Sequence, residues 1–421
     1  MWYNVYMEKN DKKTTRQKKR GSRASVHVGG DVEPNTGADH RRSQTPVNDG
    51  AAQTLTGSPT YNQLVDWSAT GRNIDSSKYS GGSVEHNDLQ RAKDISLRIE
   101  NIFAQKVVGQ DRMRVALLST LIAGGHILIE SVPGLAKTTA ASAICGAISG
   151  TFSRIQCTPD LMPNDIVGTQ IYNYSTGEFK TQLGPVHANL VLLDEINRSS
   201  AKTQSAMLEA MQEKQTTIGS KTFPLPDPFL VIATQNPIEE EGTYVLPEAQ
   251  MDRFLLKEVI TYPTPDQEVQ VLEGLLKGKF NSTSDLENSH TSASISDSVL
   301  PATLDDLRYL QEVSKRVYLS PAVLHYIISI INTTRGGGPN PIVGLDKLVR
   351  VGASPRGSIA FVRVCQAFAL LNGRAYVIPE DVIDMRYPVL RHRIVRTFDA
   401  LADNLPVESI IDQVFQVVPV P

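Results

Sequence analysis

Apolar residues first recur at helical spacing at Leu89, Ala92, Ile95, Ile99 and Ile102, which predicts an amphipathic helix with one face turned to a core. Five short runs rich in leucine and β-branched residues follow, at 126–130, 153–157, 189–193, 229–233 and 254–260, alternating with helical stretches. Near-continuous apolar strands separated by helices predict a parallel sheet covered on both faces. In the helix expected over 202–214, Met207, Ala210 and Met211 share one side, which suits packing on that sheet. Two segments depart from the alternation. Residues 169–183 read as a hairpin around Ser175-Thr176-Gly177, and 215–225 as a second one turning at Gly219-Ser220. Helical periodicity returns at 304–317, 321–332, 359–371 and 379–389, with starts marked by Ser320-Pro321 and Ile378-Pro379.

This pattern divides the chain into a polar tail expected to be disordered (1–87), an α/β body (88–278), a linker (279–300) and a small all-helical domain (301–421). The length of 421 residues agrees with more than one folded unit. A net charge of −3 argues against a protein that coats nucleic acid with its whole surface. The tail does carry a basic run, from Lys12 and Lys13 through Arg16, Lys18, Lys19 and Arg20. Such a run can meet phosphates, but no aromatic residues interleave it, and a solvated tail is the simpler reading. The three cysteines lack CxxC spacing, so neither a zinc site nor a disulfide framework is expected, and a reducing compartment fits. The most apolar window, 115–129, is broken by Ser119, Gly124, Gly125 and His126 and is too short to span a bilayer. A soluble, cytoplasmic protein with no membrane span is the expectation.

Candidate chemistry begins after the first strand. Ser131-Val132-Pro133-Gly134-Leu135-Ala136-Lys137-Thr138 joins that strand to a helix beginning near Thr139. This is the context of a phosphate loop, where backbone N–H groups and a helix N-terminus cradle anions. Lys137 would reach the β and γ phosphates and the Thr138 hydroxyl would ligate Mg²⁺. The generic pattern GxxxxGK[ST] is met only in part, because Ser131 and Ala136 stand where glycines belong, and alone it leaves an ordinary strand–turn–helix open. The second element is Leu190-Val191-Leu192-Leu193-Asp194-Glu195, an apolar strand ending in two acids, where ligands bind in open α/β sheets. Asp194 would hold the Mg²⁺ shell and Glu195 polarise the attacking water, if the two strands lie side by side. Asn236, after the fourth strand, can hydrogen-bond the water or the γ-phosphate.

These residues in this order resemble the MoxR family of AAA+ ATPases. The likeness runs over about residues 90–400 and is carried by Val107-Val108-Gly109-Gln110, Glu130 to Thr138, LLDEINR ending at Arg198, KTQSAMLEAMQ ending at Gln212, ATQNPIEEEGTYVLPEAQMDRF ending at Phe254, and GASPR ending at Arg356. The resemblance implies an AAA+ P-loop NTPase: a five-stranded parallel sheet flanked by helices, then a small helical lid. It implies ATP and Mg²⁺ as cofactors, with Val108, Gly109, Val132, Pro133, Gly134, Leu135, Ala136, Lys137, Thr138 and Thr139 at the nucleotide. Asp194 and Glu195 correspond to Walker B and Asn236 to sensor 1. Arg253 looks like the arginine finger reaching a neighbour's site. Arg356 looks like sensor 2, expected to reach the γ-phosphate of its own subunit from the lid. The family often carries alanine at Ala136, whereas Ser131 replaces its usual glycine, and its Cβ is expected to crowd a turn that prefers positive φ.

A finger acting in trans implies a ring oligomer, usually a hexamer, with Arg198 at the subunit contact. The hairpin over 169–183 takes the place of the insert that marks the branch holding this family and magnesium chelatase. The implied activity is ATP-driven remodelling or maturation of client proteins, often with a partner bearing a von Willebrand factor A domain. Two alternatives stand beside it. Ser131 motivates a nucleotide-gated binding module with little turnover, and the basic tail motivates a DNA-associated motor, although nothing in the core resembles a base-reading helix. The histidines, among them His126, His187 and His392, fit no ligand spacing and are expected to be structural.

Overall fold

A computed structural model describes residues 84–421 except Val108, Pro133, Gly134, Ala136, 238–243, Val245 and 277–299. The expected tail, apart from 84–87, and the expected linker, apart from Leu300, lie outside the described residues. Helix α1 (His86–Lys106) buries Ala92, Ile95, Ile99, Ile102 and Phe103, the face its periodicity predicts. Helix α2 (Asp111–Ala123) is buried from Val115 to Ile122 and ends on Gly124, whose φ of 64° closes it. It accounts for most of the apolar 115–129 window, and no described helix is long and apolar enough to cross a membrane.

The body continues β1 (Ile127–Ser131), α3 (Lys137–Gly146), β2 (Phe152–Gln156), α4 (Pro163–Val167), the hairpin β3 (Gly168–Asn173) and β4 (Glu178–Leu183), and β5 (Leu190–Asp194). Then come α5 (Ala201–Glu213), the hairpin β6 (Gln215–Ile218) and β7 (Lys221–Pro224), β8 (Leu230–Gln235), α6 (Glu248–Met251), β9 (Leu256–Ile260) and α7 (Pro265–Leu276). All five expected core strands are present, in one parallel sheet ordered β2-β5-β8-β1-β9. The apolar runs that look continuous in sequence obey the two-residue period of a strand. Ile127, Ile129, Leu190, Leu192, Leu230 and Ile232 face one apolar cluster with α1, α2 and α3. Leu128, Val191, Leu193, Val231 and Ala233 face the other, with Met207, Ala210 and Met211 of α5.

The C-terminal part is α8 (Leu304–Lys315), α9 (Pro321–Thr333), α10 (Leu345–Leu348), β10 (Val349–Val351), α11 (Pro355–Leu371), α12 (Pro379–Asp384), α13 (Arg386–Leu390), β11 (Val395–Arg396), α14 (Phe398–Ala402) and α15 (Val407–Val417). Ser320 caps α9 by accepting the Val323 N–H at 3.2 Å. The single helix expected over 379–389 is broken at Met385. Pro388 supplies the reason: it has no N–H for the Asp384 carbonyl, and its ring crowds that carbonyl. Helices α8 and α11 pack on α2, and α13 packs on β9. Leu307, Leu310, Phe361, Val364 and Phe368 therefore belong to the same apolar cluster as α1 and α2. The lid helices share a core with the body rather than standing off from it.

Candidate nucleotide site

Parallel strands bring their carboxyl ends to one edge of the sheet, and the order of strands decides which loops meet there. β8 lies between β5 and β1, pairing Ile232 with Leu192 on one side and with Ile127 on the other. The strands that carry the phosphate loop and the acid pair are thus not side by side, and the intervening strand brings Thr234 and, just past its end, Asn236 between them. On the far side of β5, β2 pairs Gln156 with Asp194.

Lys137 is the first residue of α3 and is buried, with its Nζ donating to the Ser131 carbonyl at 2.9 Å. Burial lowers its pKa, while Asp194 and Glu195 oppose that shift. Thr138 Oγ1 donates to Asp194 Oδ2 at 3.2 Å. The same oxygen accepts Arg154 Nη2 at 2.7 Å, and Asp194 Oδ1 accepts Thr234 Oγ1 at 2.8 Å. Thr234 Oγ1 also accepts the Glu195 N–H at 2.9 Å, so one buried hydroxyl orients both acids. Glu195 needs that support because it has φ 57° and ψ 53°. A left-handed non-glycine residue costs about 1–2 kcal/mol. The turn lifts its carboxylate off the strand, where Oε2 meets Gln156 Nε2 at 3.3 Å and Arg198 Nε at 3.0 Å. Asn236 is buried, and its carbonyl accepts Asn197 Nδ2 at 3.1 Å.

Of the other loop positions, Leu135 and Thr139 are buried and Val132 packs against the core. Val108, Pro133, Gly134 and Ala136 lie outside the described residues. Gly109 has φ 73° and lies against the Gln267 side chain, which would meet a Cβ there at 2.9 Å. Both border a recess of about 470 Å³ with Val107, Asp111 and Thr264. Ser131 corrects an expectation. It is the last residue of β1, paired with Ile260, and is not among the positive-φ residues. Its Cβ therefore crowds no left-handed turn, and its hydroxyl donates to the Val132 carbonyl at 3.1 Å.

One hydroxyl and one carboxylate converging at the mouth of a phosphate loop suit Mg²⁺, which takes few protein oxygens and completes its shell with phosphate and water. Among the described residues no cluster of three or more His, Cys, Asp or Glu could hold a metal by itself.

Arg253 and Arg356 stand elsewhere. They border one cavity of about 330 Å³ with Lys214, Arg363, Arg393 and Asp252, next to Gly125 and His126 before β1 and Leu255 before β9. That is the edge where these strands begin, and β1 spans about 16 Å between it and the phosphate loop. The expectation that Arg356 serves its own subunit's γ-phosphate is therefore corrected: it sits beside Arg253 at the opposite end of the sheet. Asp252 anchors the group, accepting Ser354 Oγ at 2.7 Å and Arg393 Nε at 2.9 Å, with Arg356 Nη1 at 3.9 Å. Arg393 is buried and also donates to the Phe254 carbonyl at 2.7 Å and the Leu255 carbonyl at 3.2 Å. Arg253 Nε is buried with no hydrogen-bond partner. Sequence reasoning missed Thr234, Arg154, Asp252 and Arg393; Thr234 had a signal, a polar residue closing an apolar strand, but the others act through contacts remote in sequence. Of the three named histidines, His126 accepts the Val231 N–H at Nδ1 (3.0 Å), His187 Nε2 meets Thr216 Oγ1 at 2.9 Å and His392 Nε2 meets the Phe254 carbonyl at 3.1 Å.

Comparison with known proteins adds a second line. Residues 126–256 match the ATPase family associated with various cellular activities (AAA), and residues 345–414 match the AAA lid domain. The chain is 45% identical over 315 residues to Chaperone MoxR1 of Mycobacterium tuberculosis, covering 75% of this chain and 79% of that protein. It is 28% identical over 339 residues to Protein MoxR of Methylorubrum extorquens, covering 78% and 96%. A solved structure from Cytophaga hutchinsonii, provisionally named an ATPase, superposes with a TM-score of 0.71 at 38% identity, covering 80% of this chain and 97% of that one.

Proposed function

The chain belongs to the MoxR family of AAA+ ATPases, and from that premise we propose that it binds MgATP in the loop after β1 and couples hydrolysis to chaperone-like remodelling or maturation of partner proteins. The observation that carries the reading is the single hydrogen-bonded unit of Thr138, Asp194, Thr234 and Glu195, which joins three loops at one sheet edge. Lys137 and the N-terminus of α3 hold the phosphates. Thr138 and Asp194 would hold Mg²⁺, which would supply neutralisation of phosphate charge there. Glu195, raised on its left-handed turn, accepts a proton from the attacking water, and Asn236 orients that water. Gly109, at the recess it shares with Gln267, would border the base.

The partly exposed Arg253 and Arg356 are directed at another copy's nucleotide, since they stand at the wrong end of the strands for their own. Hence the assembly is a ring, six-membered as in other AAA+ proteins, with Arg198 near its subunit contact. Clients engage through the exposed hairpin β3–β4, whose Tyr174 and Phe179 are 91% and 66% exposed, and through a partner bearing a von Willebrand factor A domain. The test is Glu195→Gln. It should bind ATP as the parent does while turnover falls about 10²–10⁴-fold, the usual worth of a general base. Hydrolysis at the parental rate would sink the assignment.

A further inference from the structure

Asp194 Oδ2 is the oxygen that Thr138 reaches, and it is also the oxygen closest to Arg154. Arg154 rises from β2, the strand paired with β5, so its place is set by the sheet rather than by a loop. Its guanidinium is mostly shielded, at 24% side-chain exposure against 8% for Asp194. Nη2 lies 2.7 Å from Asp194 Oδ2 and 3.3 Å from Gln156 Oε1, while Nε is buried with no partner. The guanidinium is thus held at one corner, by the carboxylate a divalent cation would use. A cation that used Asp194 Oδ2 would share that oxygen with the Arg154 guanidinium, and like charges on one oxygen repel strongly even at an effective dielectric of 20.

We propose that Arg154 is the resident counter-cation of Asp194 and competes with Mg²⁺ for it, so that Arg154 sets the Mg²⁺ concentration at which the nucleotide site loads. The idea rests on the ATPase reading above. It requires that the ion pair between Arg154 and Asp194 be given up, at least in part, each time Mg²⁺ enters. Arg154 is then a positioning residue whose removal strengthens binding of the metal, the opposite of what general damage to the site would do.

The experiment titrates MgCl₂ into full-length protein saturated with a fluorescent ADP analogue in a metal-depleted buffer, following the fluorescence change. Arg154→Gln should lower the half-saturating Mg²⁺ about three- to tenfold, the weight of a partly shielded charge-assisted pair. Arg154→Lys, which keeps a competing cation, should stay near the parent. A half-saturating Mg²⁺ that is unchanged or higher in Arg154→Gln overturns the proposal. If that variant fails to fold, arginine-directed dicarbonyl labelling of the parent decides. Arg154 should react faster with ADP and Mg²⁺ than with ADP and EDTA, and an equal or slower rate overturns it. A parent protein that binds no ADP at any Mg²⁺ concentration would instead refute the ATPase reading itself.

Discussion

Thr234 offers the sharpest single perturbation, because one buried hydroxyl serves two acids. Thr234→Val keeps the shape of the side chain and removes the oxygen. Two bonds go with it: the donation to Asp194 Oδ1 at 2.8 Å and the acceptance of the Glu195 N–H at 2.9 Å. Asp194 keeps Thr138 and Arg154, so its loss is one charge-assisted bond, about 1.5–3 kcal/mol. The Glu195 amide is left without this acceptor, at about 1–3 kcal/mol, in a residue already paying for a left-handed backbone. The added methyl returns part of this, so a destabilisation of about 2–4 kcal/mol is expected. Thr234→Ser is the control, since it keeps both bonds and loses only a methyl group, about 1 kcal/mol. Urea denaturation midpoints compare stability, and steady-state hydrolysis at saturating MgATP compares function. Valine should unfold earlier than serine and turn over at least tenfold more slowly. If the valine variant equals the serine variant in both assays, the hydroxyl does not organise the acid pair.

Other expectations follow from the same geometry. Arg253→Ala should lower turnover about 10³–10⁵-fold, with little cost in stability because its Nε makes no hydrogen bond. Mixing it with Lys137→Ala should restore part of the activity, since each variant completes a site the other lacks; no recovery would argue against action between subunits. Burial holds the His126 pKa down at about 4, against 6.5 for the ordinary side chain. Its folded form stays neutral while the unfolded chain takes up a proton, so stability should fall as pH drops from 6.5 towards 4, by roughly 3 kcal/mol. His126→Gln should flatten that slope in pH-dependent denaturation, and an unchanged slope would show that other groups govern it.

The elements of the body were legible because they are written in local periods. Alternation around Ser175-Thr176-Gly177 and Gly219-Ser220 marks two turns whose glycines take φ 69° and 63°. The loop to Thr138, Asp194, Glu195 and Asn236 was likewise legible, since each closes an apolar strand. Pro388 was visible too, although the helical period around it masked the break it imposes at Met385. What the sequence by itself determined is therefore the set of strands, their hairpins and which polar residues close them. Only the tertiary structure decided that β8 separates β5 from β1, which gives Thr234 command of both acids. It alone set Arg154 against Asp194, seated the lid helices on α2, and put Arg356 beside Arg253 at the far edge of the sheet. Period and turn chemistry are properties of a few adjacent residues, whereas strand order and charge pairing depend on groups 40 to 240 positions apart, such as Arg154 with Asp194 and Arg363 with Ala123, which meet only when the core closes.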